Sequence, residues 1–162
     1  MTAVLFTCAG QRVDIVSAFG RAGATTIAAD VNRLAPALYH ADRYELVMRV
    51  DDPGYVSQLA QLVEEHGVDL VVPLTDLDQL VLARARDELG APVLLPPAEV
   101  AEQMGDKYFA HETFERLGIP SPRSWLPDGL PDDLSFPVAL KAREGFGSRH
   151  IYRANDREEL DF

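Results

Sequence analysis

Alternation constrains this chain more than any other feature: as far as residue 97, short runs of almost unbroken apolar residues take turns with stretches of helical spacing. Residues 3–7 (AVLFT) read as a buried strand. Across 11–22, Val13, Val16 and Phe19 recur three apart with Ile15 alongside, and Gly23 stops the helix they predict. Residues 25–30 form a second strand, and 44–47 a weaker third. Asp52-Pro53 opens the next helix, because aspartate caps free amides and proline suits a first helical position. Val56, Leu59, Leu62 and Val63 make its apolar stripe, and it closes at His66-Gly67. A strand at 70–73, a helix over 77–89 and a short strand at 93–95 complete the series. Strands this apolar, in β-α-β order, imply a parallel sheet covered by helices on both faces. Right-handed crossovers then make the fold class α/β and Rossmann-like.

After Pro96-Pro97 the pattern changes. Helices are expected over 98–104 and 107–117, the second closed by Gly118-Ile-Pro120. A strand near 124–126, a Pro/Asp/Gly-rich loop, a strand at 138–142, a glycine loop and a strand at 151–153 follow. Asn155-Asp156 then caps a new helix, and the chain stops at Phe162 within its first turns, so the sequence reads as cut. The expected domains are 1–97, Rossmann-like, and 98–162, a partial α+β unit. A length of 162 residues suffices for one cored domain and a small second unit.

Charge and composition exclude several classes. A net charge of −11 argues against a broad nucleic-acid surface. No apolar run nears the ~20 residues of a membrane span. The N-terminal MTAVLFTCAG has no basic residue before its apolar stretch, which disqualifies it as a signal peptide. The single cysteine, Cys8, cannot make an internal disulfide, which fits a reducing cytoplasm. Cys8 at a strand end reads as a buried, inert thiol, and Trp125 as core rather than a stacking platform. His40, His66, His111 and His150 have no metal-ligand spacing, and only His150 lies beside the glycine loop.

In open parallel sheets ligands bind beyond the carboxyl ends of the strands. Gly10-Gln11-Arg12, Asp30-Val31-Asn32, and Thr75-Asp76 with Asp78 lie there. Arg12 could fork onto a carboxylate or phosphate, with the acids holding an amine. Equally, Asp30 and Asp76 could cap loops while Arg12 makes a surface ion pair. The Cys8–Arg12 turn has one glycine where a dinucleotide fingerprint needs three, which weakens a nicotinamide-dependent oxidoreductase. In the second region Lys141 lies on a strand and Glu144-Gly145-Phe146-Gly147-Ser148 follows. Glycine amides can point at phosphate oxygens with a lysine charge nearby, although a plain β-hairpin with a glycine turn has the same residues.

Four motifs in order are more specific than any of them alone. Asp106-Lys107, Leu117-Gly-Ile-Pro120, Pro137-Val-Ala-Leu-Lys141 and Gly145-Phe-Gly-Ser148 together resemble the start of an ATP-grasp domain, among relatives of the carbamoyl phosphate synthase large subunit. Leu5 to Arg12, Ala29 to Ala37 and Val50 to Pro53 look like the domain that precedes it there. The resemblance implies that Lys107 and Lys141, the chain's only lysines, contact ATP. It implies too that Gly145, Gly147 and Ser148 belong to a loop closing over the phosphates. Relatives often have arginine where Gln11 stands and proline where Ala142 stands. The implied protein is an ATP-dependent carboxylate–amine ligase that uses ATP and Mg²⁺ through an acylphosphate. This chain would be its incomplete N-terminal fragment, with no catalytic residue of its own and ATP bound only weakly. Its substrate would be a small carboxylate or amino acid, touched by Gly10, Arg12, Asp30, Asn32 and Asp76. A homodimer or a partner chain would supply the missing lobe. The alternative is a non-catalytic module that binds a small ligand or another subunit.

Overall fold

The computed structural model describes residues 1–145, 147 and 150–161. The chain divides into two compact units, Met1–Ala101 and Glu102–Phe162.

In the first unit, strands β1 (Ala3–Thr7), β2 (Thr25–Asp30), β3 (Arg43–Leu46) and β4 (Leu70–Pro73) form one parallel sheet in the order β3-β2-β1-β4. Helices α1 (Val13–Arg21), α2 (Tyr55–His66) and α3 (Asp76–Arg84) connect and cover them. Side chains alternate across β1, so Leu5 and Phe6 enter different cores. Leu5 joins Ile27, Tyr55, Leu59, Val71 and Leu82 on one face. Phe6 joins Val16, Ala28, Leu38 and Val72 on the other, against α1. The chain leaves β1 toward β2 and β3, then returns past β1 to β4. The order therefore reverses between β1 and β4, where such sheets open a crevice.

Three local expectations change. Asp52 does not cap α2; its carboxylate accepts the Gly54 amide at 2.8 Å, and the helix starts at Tyr55. A side chain that satisfies its own turn leaves none for the next. The helix expected over 77–89 ends at Arg84, and a 3-10 turn follows at Arg86–Glu88. The strand at 93–95 reduces to a single parallel bridge, Val71 to Val93, because prolines at 92, 96 and 97 cannot donate to a ladder.

The second unit contains α5 (Lys107–Arg116), preceded by α4 (Ala98–Gly105), which runs across the division between the units. It also holds an antiparallel pair, β5 (Val138–Lys141) and β6 (Ile151–Ala154), and α6 (Arg157–Asp161). The strand expected at 124–126 does not form. Pro120, Pro122 and Pro127 crowd that stretch, and its one regular piece is a 3-10 turn at Pro127–Gly129. Of this unit's described residues only His111 and Ala154 are buried. No helix among the described residues is long and apolar enough to cross a membrane.

Candidate ligand sites at the strand ends and the glycine loop

At the carboxyl edge of the first sheet, Asp30 organises the turn after β1. Its Oδ2 accepts the Gly10 amide at 2.8 Å and its Oδ1 the Asn32 amide at 2.8 Å. The Gly10 carbonyl accepts from Ala37, and Asn32 Oδ1 from Leu34. Gly10 has φ +49°, where a Cβ would strain the turn. Gly10, Asp30 and Asn32 are thus one hydrogen-bonded unit, and the buried Asp30 carboxylate is spent on backbone. Arg12 sits exposed at the start of α1 and makes no ion pair among the described residues. Asp76 is exposed in the first turn of α3, beyond β4.

Asp78 behaves differently from its neighbours. It is fully buried and accepts the Tyr55 hydroxyl at 2.9 Å, while the Cys8 thiol lies 3.9 Å from that hydroxyl. Asp78 Oδ1 and Thr7 Oγ1, both buried, make no hydrogen bond of normal geometry, although the Thr7 hydroxyl is near enough to favour the carboxylate. Burial raises the Asp78 carboxyl above the usual range, and hydrogen bonds from Thr7, Tyr55 and Cys8 offset part of that. Burial, then the Asp78 charge, raises Tyr55 and pushes the Cys8 thiol up to about 12. This cluster of neutral-leaning groups is buried where β1 ends and α3 begins after β4. Sequence reading placed Asp78 with the loop acids and started the α2 stripe at Val56. The overlooked signal is that Tyr55 stands four residues before Leu59, on the same helical face.

Cys8 should therefore react slowly with thiol reagents. Its thiolate fraction at neutral pH lies roughly a thousandfold below that of a thiol at the usual 9.0. Native protein should react with a disulfide reagent at least about a hundredfold more slowly than urea-unfolded protein. Equal rates would refute the inert assignment.

In the second unit Asp106 caps α5, its Oδ1 accepting the Tyr108 amide at 2.9 Å and the Phe109 amide at 3.2 Å. The Lys107 amide donates to the Arg143 carbonyl at 2.9 Å. Its ammonium donates to the carbonyls of Arg143 (3.3 Å) and Gly145 (3.0 Å). Lys107 therefore braces the start of the glycine loop. Lys141, opposite Ile151 at the end of β5, is exposed. Gly145 and Gly147 have φ +121° and +70°, conformations that suit glycine. Ser148 lies outside the described residues. His150 is exposed, with φ 55°. The positive-φ glycines and the exposed Lys141 are groups of the kind that suit phosphate oxygens, whereas the Lys107 ammonium is taken by two carbonyls. For Mg²⁺ the fit fails among the described residues, which contain no group of three acids, histidines or cysteines able to hold a metal. A groove of about 380 Å³ lined by Arg86, Gly90 and Val93 is no rival site, because Arg86 is spent on the Leu95 and Pro96 carbonyls.

Residues 4–94 match the family model described as "PylC-like, N-terminal domain". The 5-formaminoimidazole-4-carboxamide-1-(beta)-D-ribofuranosyl 5'-monophosphate synthetase of Pyrobaculum neutrophilum is 32% identical over 115 residues, 70% of this chain and 31% of the relative. The biotin carboxylase domain of Hydrogenobacter thermophilus 2-oxoglutarate carboxylase, solved with MgADP, ADP and bicarbonate, is 27% identical with a TM-score of 0.68. That match covers 99% of this chain and 39% of the other. The N5-carboxyaminoimidazole ribonucleotide synthetase of Thermotoga maritima has a TM-score of 0.72 at 23% identity, covering 99% of this chain and 43% of the other, a likeness of fold. The chain thus spans less than half the length of each of these relatives.

Proposed function

Because more than half of its residues lie inside that match, the chain belongs to the PylC-like N-terminal domains of the ATP-grasp superfamily, and from that premise we propose that it is the N-terminal share of an ATP-dependent carboxylate–amine ligase. The observation that carries the reading is the Lys107-braced glycine loop beside Lys141, in a chain 27% identical to a domain solved with MgADP. ATP would donate its γ-phosphoryl group to a carboxylate; an amine would attack the acylphosphate, giving an amide, ADP and phosphate. This chain's residues act by binding and orientation. Lys141 and the Gly145 and Gly147 amides neutralise and fix phosphate oxygens. The Gly10–Asp30–Asn32 unit shapes the floor on which Arg12 meets a small carboxylate or amino acid. Acidic Mg²⁺ ligands and the second lobe would come from outside the described residues, from a continuing chain, a second copy or a partner. The protein would work in the cytoplasm.

Calorimetry and an ADP-release assay on the chain alone test this. The chain should bind ATP weakly and release no ADP, and Lys141→Ala should weaken that binding about tenfold, the effect of one charge-assisted contact. Tight binding with measurable turnover would contradict the need for a second lobe. A non-catalytic ligand-binding role is favoured instead if a small amino acid binds, the binding survives Lys141→Ala, and Arg12→Ala abolishes it. The observation that favours that reading is Arg12, exposed and in no ion pair among the described residues.

A further inference from the structure

We infer that Asp106 and Arg143 are positioning residues that lock the start of the glycine loop to the N-terminus of α5, an inference that rests on the nucleotide reading of that loop. Arg143 lies two residues beyond β5 and is held by both main chain and side chain. Its carbonyl accepts the Lys107 amide and ammonium. Its Nε donates to Asp106 Oδ1 at 3.2 Å, and its Nη2 pairs closely with Asp106 Oδ2. The guanidinium also lies over the Tyr108 ring, 6.0 Å from its centre. Asp106 is meanwhile fixed by the two α5 amides that it caps. Hydrogen bonding to Arg143, the leading cause, holds its carboxyl below the usual range, so it stays charged.

An exposed ion pair alone adds little stability. Geometry is what this one adds. Gly145 and Gly147 are free to sample many backbone conformations, and a loop that must aim its amides at phosphate gains affinity when that freedom is already restricted. The lock restricts it from one end. Arg143, turned onto Asp106, is a brace for the loop and not a phosphate ligand. A lysine there could neither fork onto Asp106 nor stack on Tyr108 in the same way, so Arg143→Lys should behave as a loss.

Hydrogen exchange on the full chain without nucleotide, for wild type, Arg143→Gln, Arg143→Lys and Asp106→Asn, tests the lock. Asparagine still caps a helix, so Asp106→Asn should spare α5 and free only the loop. Exchange at the Lys107 amide and at residues 143–145 and 147 should rise about tenfold in all three variants, with the body of α5 unchanged. Mg·ATP titration of the same proteins should show weakened binding wherever exchange has risen. Unchanged exchange in Arg143→Gln would overturn the lock whatever happens to nucleotide. Faster exchange with unaltered ATP affinity would overturn its positioning role. Faster exchange in a chain that binds no ATP even as wild type would sustain the lock and remove the nucleotide reading beneath it.

Discussion

Asp78→Ala is expected to cost the first unit about 2 kcal/mol, whereas Asp78→Asn is expected to stabilise it increasingly as the pH rises. Alanine removes the carboxylate to which the buried Tyr55 hydroxyl donates at 2.9 Å and leaves it the weak Cys8 sulfur contact at 3.9 Å, and a buried donor that loses its acceptor costs about 1–3 kcal/mol. Asparagine keeps the shape and the acceptor for Tyr55 but has no proton to lose. Burial raises the Asp78 carboxyl in the folded chain, so the folded state holds this proton more tightly than the unfolded state. Its neutral form costs nothing in acid. As the pH climbs through the usual carboxylate range, the unfolded chain ionises first and stability is lost, until the folded carboxyl ionises too. The gap between Asp78→Asn and wild type should therefore be near zero in acid and grow to a plateau. Urea unfolding of both proteins across the pH range, followed by circular dichroism, checks this, and a gap that stays flat with pH would refute it. Tyr55→Phe should cost about 1–3 kcal/mol in wild type and less in an Asp78→Ala background, where the partner is already gone.

The same cluster marks where sequence reading stops. Strands β1, β2 and β4 and the helices between them are legible because their apolar runs and spacings are local. The fate of an aspartate in the first turn of a helix is not local: Asp76 and Asp78 are two residues apart, yet one is exposed and the other fully buried. What separates them is Tyr55, 23 residues away along the chain. Lys107 gives the same lesson in the second unit. Resemblance assigns it to ATP, but its ammonium rests on carbonyls 36 and 38 residues further on, contacts that no pattern of spacing encodes. Prolines explain the two expected strands that do not form: the stretch at 124–126 has strand-like residues but too few amide donors around it, and the same applies at 93–95. Asp30 was readable as either ligand or loop cap from its position alone. Its two amide contacts are the loop-capping geometry, made with Gly10 on one side and Asn32 on the other.

Phe6→Ala should produce the largest loss of all, about 3–5 kcal/mol, the range for deleting a fully buried aromatic side chain. Phe6 lies on β1, which has a hydrogen-bonded neighbour on each side, and it meets Phe19 of α1 edge-on at 5.2 Å. Sheet and helix hold the cavity open, so little of the lost contact can be recovered by collapse. Against a typical stability of about 5–15 kcal/mol, such a loss would leave the unit marginal. Phe109→Ala in the second unit should cost less, about 1 kcal/mol, because Phe109 is only partly covered in a unit with two buried described residues. Far-UV circular dichroism in urea follows the first change. The fluorescence of the only tryptophan, Trp125, follows the second. Comparable losses in the two variants would mean that the core of the first unit does not dominate. The ranking also governs the Arg12 test above: Arg12 follows β1 at the start of α1, so an Arg12→Ala chain that loses ligand speaks about the site only if the unfolding transition that depends on Phe6 is intact.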